Sequence, residues 1–251
     1  MNRIPRRLKK EPLIEAVWQI QFEPIRGTPV GDLLPGALFN ALRNEHATLQ
    51  LERLPTADIP VQIASNDPNL RNMAKYRMEA PDSPFIFQFG DRIVTLNCRR
   101  PYAGWQEFRR HIVTLLSHIQ SCGIVPVPQR HSLRYINLLT LDPAPSLAAL
   151  QASVKVGVHD CREQPIQARV ELCDEAYTHV LQLVTPAQVQ LPNGSEVGTL
   201  VDLETFPMEK PQTWGDIESQ IDCLHERLLK LFFGSILTAE TIAKMEPEYE
   251  A

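Results

Sequence analysis

The fold of this chain is constrained most strongly by two amphipathic helical stripes. Short segments that alternate apolar and polar residues precede each of them. The first stripe runs from Trp105 to Ile119 and the second from Ile217 to Leu231, with apolar residues at helical spacing. Alternation with a period of two is typical of strands that bury one face. Long helices combined with runs of such strands indicate an α+β protein.

The alternating segments predict a series of strands, at Leu13–Phe22, Val61–Ala64, Tyr76–Glu79, Phe85–Phe89, Ile93–Cys98, Leu133–Leu141, Gln167–Cys173, His179–Thr185 and Thr199–Phe206. Shorter helices are predicted at Leu33–Leu42, Ser146–Ala152 and Thr238–Lys244, with Ser146 and Thr238 as N-caps. Gly123 is a C-cap candidate, and Thr213 with Asp216 resembles a capping box. Gly90-Asp91 and Asn193-Gly194 predict tight turns.

The order strand, helix, several strands, long helix occurs twice. We therefore predict two similar β-α-β(3-4)-α halves, residues 1–125 and 126–251, separated near Pro126 and Pro128. Each half is expected to form a curved antiparallel sheet covered by a long helix, in a helix-grip or TATA-binding-protein-like topology; whether there is one sheet or two stays open. Residues 1–12 are predicted to be a flexible basic arm, and the acidic tail from Glu246 to be mobile.

Charge and cysteine content narrow the class of protein. The net charge is −5, whereas a dedicated nucleic-acid-binding domain is usually basic. The five cysteines are widely scattered without a C-x-x-C pair, which favours reduced thiols over disulfides. No apolar run approaches the ~20 residues of a membrane helix, and no apolar core follows the basic N-terminus as in a signal peptide. The expectation is a cytoplasmic protein with no membrane association.

Motifs that carry chemistry are absent from the sequence. It contains no G-x-S-x-G, Walker A, G-x-G-x-x-G or H-E-x-x-H pattern, so no catalytic residue and no cofactor is predicted. His111 and His118 lie two helical turns apart, too far for joint ligation without other elements. His159-Asp160-Cys161 is a compact ligand candidate, but a polar surface loop is the more common structure for such a segment. We therefore predict no metal site.

Polar residues on predicted strands are the best candidates for binding. Asp202 and Glu204 share one strand face, with Val201 and Leu203 facing the core; the alternatives are acid–base chemistry, cation binding or a solvated strand face. Arg134-Tyr135-Ile136-Asn137 places Tyr135 and Asn137 among apolar residues, where they either line a cavity or belong to a structural polar network. Glu15 holds a comparable position on the first strand.

Basic residues near the first long helix offer a second candidate surface. Arg109 and Arg110 lie on that helix, and Arg99, Arg100 and Arg130 flank it. Together with the basic N-terminal arm they form a possible positive patch for nucleic acid or an acidic protein partner. Ordinary surface charge is the alternative, because acidic residues dominate elsewhere in the chain.

Three segments resemble a sporadically distributed bacterial protein family of about this length that has no characterised function. They are the Pro12–Val17 opening, the Arg134–Asn137 strand, and the Leu200–Phe206 strand before a long helix carrying Leu224-His225. Leu237-Thr238 is similar to the closing turn of that family. The patchy distribution implies mobile genes, such as phage-defence or toxin–antitoxin modules.

Several functions remain open. A non-enzymatic interaction or accessory protein, acting with a partner protein or by self-association, fits the lack of catalytic motifs and is our working hypothesis. A small-molecule sensor would need a cavity under the long helices, edged by Tyr135 and Asn137. A nucleic-acid-binding protein would use a curved sheet or the basic patch. An enzyme of unrecognised type would be expected to use Asp202 and Glu204.

Overall fold

The computed structural model describes residues 3–192 and 194–249, so Asn193 of the predicted turn lies outside the described residues. The strands are antiparallel to their partners, and they are β1 (Arg7–Leu8), β2 (Leu13–Gln21), β3 (Gln50–Arg53), β4 (Ala74–Glu79), β5 (Phe85–Gly90), β6 (Ile93–Arg99), β7 (Arg130–Leu139), β8 (Lys155–Val156), β9 (His159–Asp160), β10 (Ile166–Asp174), β11 (Tyr177–Leu191), β12 (Gly194–Pro207) and β13 (Pro247–Glu248). The α-helices are α1 (Val30–Glu45), α2 (Val61–Asn66), α3 (Trp105–Cys122), α4 (Trp214–Leu231) and α5 (Ala239–Lys244). The α+β class is confirmed. Among the described residues, no helix combines the length and the apolar character that a membrane crossing requires.

The chain groups into two compact units, each built from separated segments. The meander unit consists of residues 15–133 and 206–221, and the hairpin unit consists of residues 1–14, 134–205 and 222–251. The chain passes from one unit to the other within β2, β7, β12 and α4. Each unit therefore contains residues from both predicted halves, 1–125 and 126–251. An internal duplication stays a prediction.

In the meander unit, the strands follow the order β2-β6-β5-β4-β3. Helix α1 packs against α3 and contacts β4 and β5. The core contains large side chains that are fully buried, among them Trp18, Phe87, Phe89 and Phe108. Helix α3 ends as predicted at Gly123, whose φ of 64° lies in the left-handed region that glycine adopts without strain.

In the hairpin unit, the strands follow the order β10-β11-β12-β7. Strands β10 and β11 pair over nine residues, from Ile166 opposite Thr185 to Asp174 opposite Tyr177. Val201 and Leu203 are buried, as their alternation on β12 predicted. A Cβ atom on Gly198 would lie 2.5 Å from the carbonyl oxygen of Leu139, so this position requires a residue without a side chain.

The segments predicted as a basic arm and an acidic tail lie beside each other in the hairpin unit. Arg7 pairs with Glu248 and Leu8 with Pro247 in a two-stranded antiparallel ribbon. The Lys10 ammonium lies 2.9 Å from a carboxylate oxygen of Glu246, and the Lys10 amide donates a hydrogen bond to the carbonyl of Met245. Opposite charge and backbone pairing therefore join the two segments, while their mobility stays a prediction.

Three short elements differ from the sequence prediction. The expected strand at Val61–Ala64 is wrong, because these residues begin helix α2 directly after Pro60. Strand β3 was missed because Gln50, Leu51, Glu52 and Arg53 are all exposed and show no buried alternation. Ser146 accepts a hydrogen bond from the amide of Ala148 as predicted, but the helix after it is a single 3-10 turn, Leu147–Ala149.

Replacing Thr238 with alanine is expected to lower the free energy of unfolding by about 1 kcal/mol. The Thr238 hydroxyl accepts a hydrogen bond of 3.1 Å from the amide of Thr241, which otherwise has no partner in the first turn of α5. Urea denaturation measures the change. Thr238→Ser keeps the acceptor oxygen and should retain the stability of the parent, so an equal loss in both variants would contradict the capping role.

Candidate functional site

Two adjoining cavities lie in the meander unit. The first, which we call the Phe206 cavity, has a volume of about 420 Å³ and is lined by the end of β2, the residues around the start of β7, and Phe206–Lys210. The backbone brings these segments together, because the amide of Gln129 donates to the carbonyl of Gln21 at 2.8 Å. Its size falls in the range of small-ligand pockets, about 300–1,000 Å³.

A guanidinium group stacks on an aromatic ring in the wall of the Phe206 cavity. The central carbon of the Arg130 guanidinium lies 3.5 Å from the centroid of the Phe206 ring. Such stacking fixes the plane of the guanidinium group. Arg130 therefore presents an oriented cation on a rigid support.

The second cavity, which we call the Ile25 cavity, has a volume of about 470 Å³ and lies between the loop after β2 and helix α2. Pro24, Gly27 with φ of 85°, and Pro29 turn the chain away from β2 before α1 begins. Ile25 and Val61 line this cavity and are 56% and 55% exposed. Apolar side chains this exposed, next to a cavity, are typical of binding surfaces.

Glu23 links the two cavities through ion pairs. It pairs with both Arg71 and Arg92. Arg71 lines both cavities, so we call the two together the Arg71 groove. On the Ile25 side, the Lys75 ammonium lies 2.9 Å from a carboxylate oxygen of Asp91 and 3.9 Å from one of Asp32.

The lining of the Arg71 groove carries positive charge in an acidic chain. Its basic side chains are Arg26, Arg71, Lys75, Arg92, Arg130 and Lys210. Its acidic side chains are Glu23, Asp32, Asp91 and Glu209. Six cations against four anions leave a net charge of +2, whereas the whole chain carries −5. The groove therefore attracts negatively charged groups that the rest of the chain repels.

In the hairpin unit, two of the sequence candidates, Arg134 and Tyr135, each pair with a side chain that is distant in sequence. Arg134 binds Asp202 through two hydrogen bonds, with a distance of 2.6 Å from Nε to Oδ1 and a second bond from Nη2 to Oδ2. The Asp202 side chain is 7% exposed, so it does not lie on a solvated strand face. Two residues further along β12, Glu204 is half-buried. The bidentate geometry gives Asp202 a fixed structural partner.

Tyr135 and His225 form the second pair. The Tyr135 hydroxyl lies 2.7 Å from Nδ1 of His225 on α4, and the two rings meet edge-on. Burial lowers the pKa of His225 to about 4, so the imidazole is neutral at neutral pH. Asn137 is buried on the same strand. Tyr135 and Asn137 line neither the Phe206 cavity nor the Ile25 cavity.

The predicted basic patch is divided along the meander unit. Arg99 lies opposite Glu15 in the pairing of β2 with β6, and its guanidinium is 3.5 Å from Glu79. Arg130 follows Gln129, whose amide donates to Gln21 at the other end of β2. At the rise of an extended strand, that end is about 20 Å from Glu15. Glu15 itself accepts a hydrogen bond from Asn97. Arg99 and Arg130 therefore belong to different surfaces.

The other three arginines of the predicted patch lie close to Arg99 in sequence. Arg100 is exposed next to it, and Arg109 is half-buried on α3. Arg110 pairs with Glu107 and Glu45. Because Arg99 and Arg110 both lie beside carboxylates, this end of the unit carries less positive charge than the sequence suggests.

A cluster of possible metal ligands also lies in the meander unit, although the sequence predicted no metal site. Glu45 and His46, at the end of α1, and His111 on α3 place ligand atoms within 4.8 Å of one another. Sequence reasoning compared His111 with His118, which lie on one helix, and weighed His159-Asp160-Cys161 in a loop, but it did not connect His46 with any of them. His46 is far from His111 and His118 in sequence, so no spacing pattern connects it with them. The packing of α1 against α3 brings His46 to His111.

No model of a protein family and no characterised protein matches this chain. The family resemblance of the Pro12–Val17, Arg134–Asn137 and Leu200–Phe206 segments thus stays an expectation. Among the charged residues of the Arg71 groove, the sequence analysis identified only Arg130 as a binding candidate, because the others are single charges in loops and at strand ends. A cluster of prolines and a glycine after β2 was the one local sign that the chain turns there.

Proposed function

We propose that this chain is a non-enzymatic interaction protein that binds an acidic, partly apolar segment of a protein partner in the Arg71 groove. The observation that carries the proposal is the net positive lining of this groove in a chain with a net charge of −5. Electrostatic complementarity of this kind selects partners and speeds their association.

The apolar residues of the groove favour a protein segment as its occupant. Ile25 and Val61 line the Ile25 cavity, and Phe22, Phe206 and Met208 line the Phe206 cavity. A peptide that alternates carboxylates with apolar side chains would pair with the cations and cover these surfaces at the same time. Two cavities joined at Arg71 suit an extended segment.

The polar chemistry of the groove fits binding better than catalysis. Among its described lining residues there is no histidine or cysteine, the side chains that most often act as general base or thiol nucleophile. The Arg71 and Arg92 guanidinium groups are cations whose planar N–H groups suit the recognition of carboxylates.

To test the proposal, a displayed library of random twelve-residue peptides is selected for binding to the purified full chain. We expect enrichment of sequences that combine Glu or Asp with large apolar residues. Their affinity should fall at least about tenfold for Arg71→Glu, because the cation shared by both cavities is reversed. The matched control is Arg169→Glu, since Arg169 on β10 is an exposed, ion-paired arginine outside the groove.

Each other outcome of the selection decides against the proposal. Enrichment of basic or uncharged peptides, or of none, would show that the groove does not recognise an acidic segment. Equal binding to the parent and to Arg71→Glu would place recognition elsewhere. Displacement of selected peptides by a short single-stranded oligonucleotide, with tighter binding of the oligonucleotide, would favour the nucleic-acid function instead.

Replacing Glu23 with glutamine is expected to tighten the binding of a selected acidic peptide by about threefold to tenfold. Glu23 occupies the guanidinium groups of both Arg71 and Arg92, and its neutralisation frees them for a ligand carboxylate. Fluorescence anisotropy at two salt concentrations measures the change, which should shrink at high salt. Glu171→Gln, which removes the partner of Arg169, is the control. Weaker binding by Glu23→Gln would contradict a role for the arginine pair.

A further inference from the structure

A cluster of histidine and glutamate side chains lies where α1 meets α3 in the meander unit, away from the residues that line the Arg71 groove. Glu45 is the last residue of α1 and His46 follows it as the C-cap, while Glu107, Arg110, His111 and His118 project from α3. Ligand atoms of Glu45, His46 and His111 all lie within 4.8 Å of one another. Three protein ligands drawn from histidine and carboxylate side chains are the number found in many zinc sites.

Aromatic side chains hold the two imidazole rings in place. The His46 and His111 rings stack with centroids 5.2 Å apart. Phe85 packs on His111 at 3.9 Å between centroids, and Phe87 meets His46 edge-on at 5.6 Å. Since neighbouring rings limit their rotation, both imidazoles are positioned in advance of any ligand.

One polar atom of these two imidazoles lacks a hydrogen-bond partner among the described residues. His111 is 5% exposed, and Nε2 of His46 is buried with no hydrogen-bond partner among the described residues. A buried nitrogen without a partner costs free energy unless a ligand satisfies it. Burial lowers the pKa of both histidines, so each keeps the neutral form whose lone pair binds a metal ion.

The charges around the cluster favour a cation. Glu45 and Glu107 are opposed by Arg110, whose guanidinium lies 2.7 Å from Glu107 and 3.4 Å from Glu45. Asp82 adds a further negative charge that acts on His46. With neutral imidazoles, three carboxylates and one guanidinium leave a net negative charge at this position.

We propose that Glu45, His46 and His111 bind one divalent transition-metal ion of the zinc type. Two imidazoles and one carboxylate are the ligand set that Zn²⁺ and its neighbours in the first transition row accept. Metal–ligand bonds of about 2.0–2.2 Å place tetrahedral ligand atoms roughly 3.4 Å apart. Displacements of about an ångström, mainly of the more exposed Glu45 side chain, would therefore bring the ligand atoms from within 4.8 Å to this spacing.

Two neighbouring side chains fit supporting roles in such a site. Oε1 of Glu107 lies 3.2 Å from Nε2 of His111, and Oε2 of Glu45 lies 3.9 Å from its Nδ1. Nη2 of Arg110, which can only donate, also lies 3.0 Å from this Nε2 atom. A metal ion on the Nδ1 side would favour the tautomer with a proton on Nε2. Once the Arg110 guanidinium rotates away, this N–H group can donate to Glu107, the arrangement that orients many metal-binding histidines. Nε2 of His118 lies 3.8 Å from Oε1 of Glu45, so His118 is within reach as a fourth ligand.

The proposal is tested by isothermal titration calorimetry. The full chain is first stripped of metal with a chelator and is then titrated with Zn²⁺ alone. We expect one saturable site, and titration with Co²⁺ should give the visible absorption of a nitrogen- and oxygen-ligated ion. His46→Gln, His111→Gln and Glu45→Gln should each weaken Zn²⁺ binding at least about tenfold. His159→Gln, which changes an exposed histidine on β9 of the hairpin unit, should leave it unchanged.

The variants also separate this site from stray binding to the free cysteines. Circular dichroism without metal checks that each variant is folded, and if His111→Gln is not, the more exposed Glu45→Gln and His46→Gln decide. The absence of a saturable site would overturn the proposal. Zn²⁺ binding that these glutamine variants leave intact would overturn it as well.

Discussion

Replacing Arg134 with methionine is expected to lower the free energy of unfolding by about 2–3 kcal/mol. The substitution leaves the Asp202 carboxylate, which is 7% exposed, without its bidentate partner. Removal of one member of a fully buried ion pair costs about 3–5 kcal/mol, but Arg134 is 38% exposed and water can reach part of the site. Urea denaturation with linear extrapolation measures the loss.

A double variant separates the ion pair from the packing around it. Arg134→Met combined with Asp202→Leu removes both charges and should recover part of the stability lost in the single variant. Arg169→Met breaks an exposed pair with Glu171 and should change stability by no more than about 0.5 kcal/mol. If Arg134→Met costs no more than Arg169→Met, the Arg134–Asp202 pair is not the stabilising contact described here.

Acidification is expected to lower the free energy of unfolding over the pH range in which His225 would be protonated in the unfolded chain but not in the folded one. The pKa of His225 falls from 6.5 to about 4 because the folded chain buries the imidazole against Tyr135. The unfolded chain keeps the ordinary pKa, so below pH 6.5 it binds a proton that the folded chain does not. Full stability is present above pH 6.5 and is lost progressively until pH is about 4. At about 1.4 kcal/mol per pH unit, the loss reaches up to about 3 kcal/mol.

A glutamine at position 225 tests this assignment. His225→Gln cannot titrate but can still accept a hydrogen bond from Tyr135, so its free energy of unfolding should fall less steeply between neutral and acidic pH. Urea denaturation across that range gives the slope for each variant. Burial also lowers the pKa of His46, His111, His131 and His179, so a weaker acid dependence remains in the variant. His159→Gln should keep the slope of the parent, and an equal slope in His225→Gln would refute the assignment.

Elements with a clear periodicity were predictable from the sequence alone. Strand β2, helix α3 and strand β7 follow their apolar patterns closely, and the hydrogen bonds between Thr213 and Asp216 confirm the predicted capping box. Short elements without a buried stripe were not predictable. The four residues from Val61 fit a strand or a helix equally well, because a run of that length does not distinguish a period of two from a period of 3.6.

The candidate sites depend on contacts between distant parts of the chain. Glu23 meets Arg71 and Arg92, which lie 48 and 69 positions further along. His46 meets His111 only because α1 and α3 pack together. A single charged residue in a loop has no pattern that indicates its partner. Arg134, Tyr135 and Asp202 could be identified as candidates from the sequence because they lie on regular strands. Their hydrogen bonds, Arg134 with Asp202 and Tyr135 with His225, could not be predicted in the same way.

The chain passes between the two units four times, within β2, β7, β12 and α4. This arrangement determines when each unit can form during synthesis. The meander unit requires residues 206–221, and the hairpin unit requires residues from 222 onward. Proteins made of consecutive domains fold the first while the ribosome still makes the second. Here neither unit has all its residues until most of the chain has been translated, so the strands made first remain unburied for longest. The nascent chain is therefore expected to depend on chaperones more than a protein of equal length with two consecutive domains.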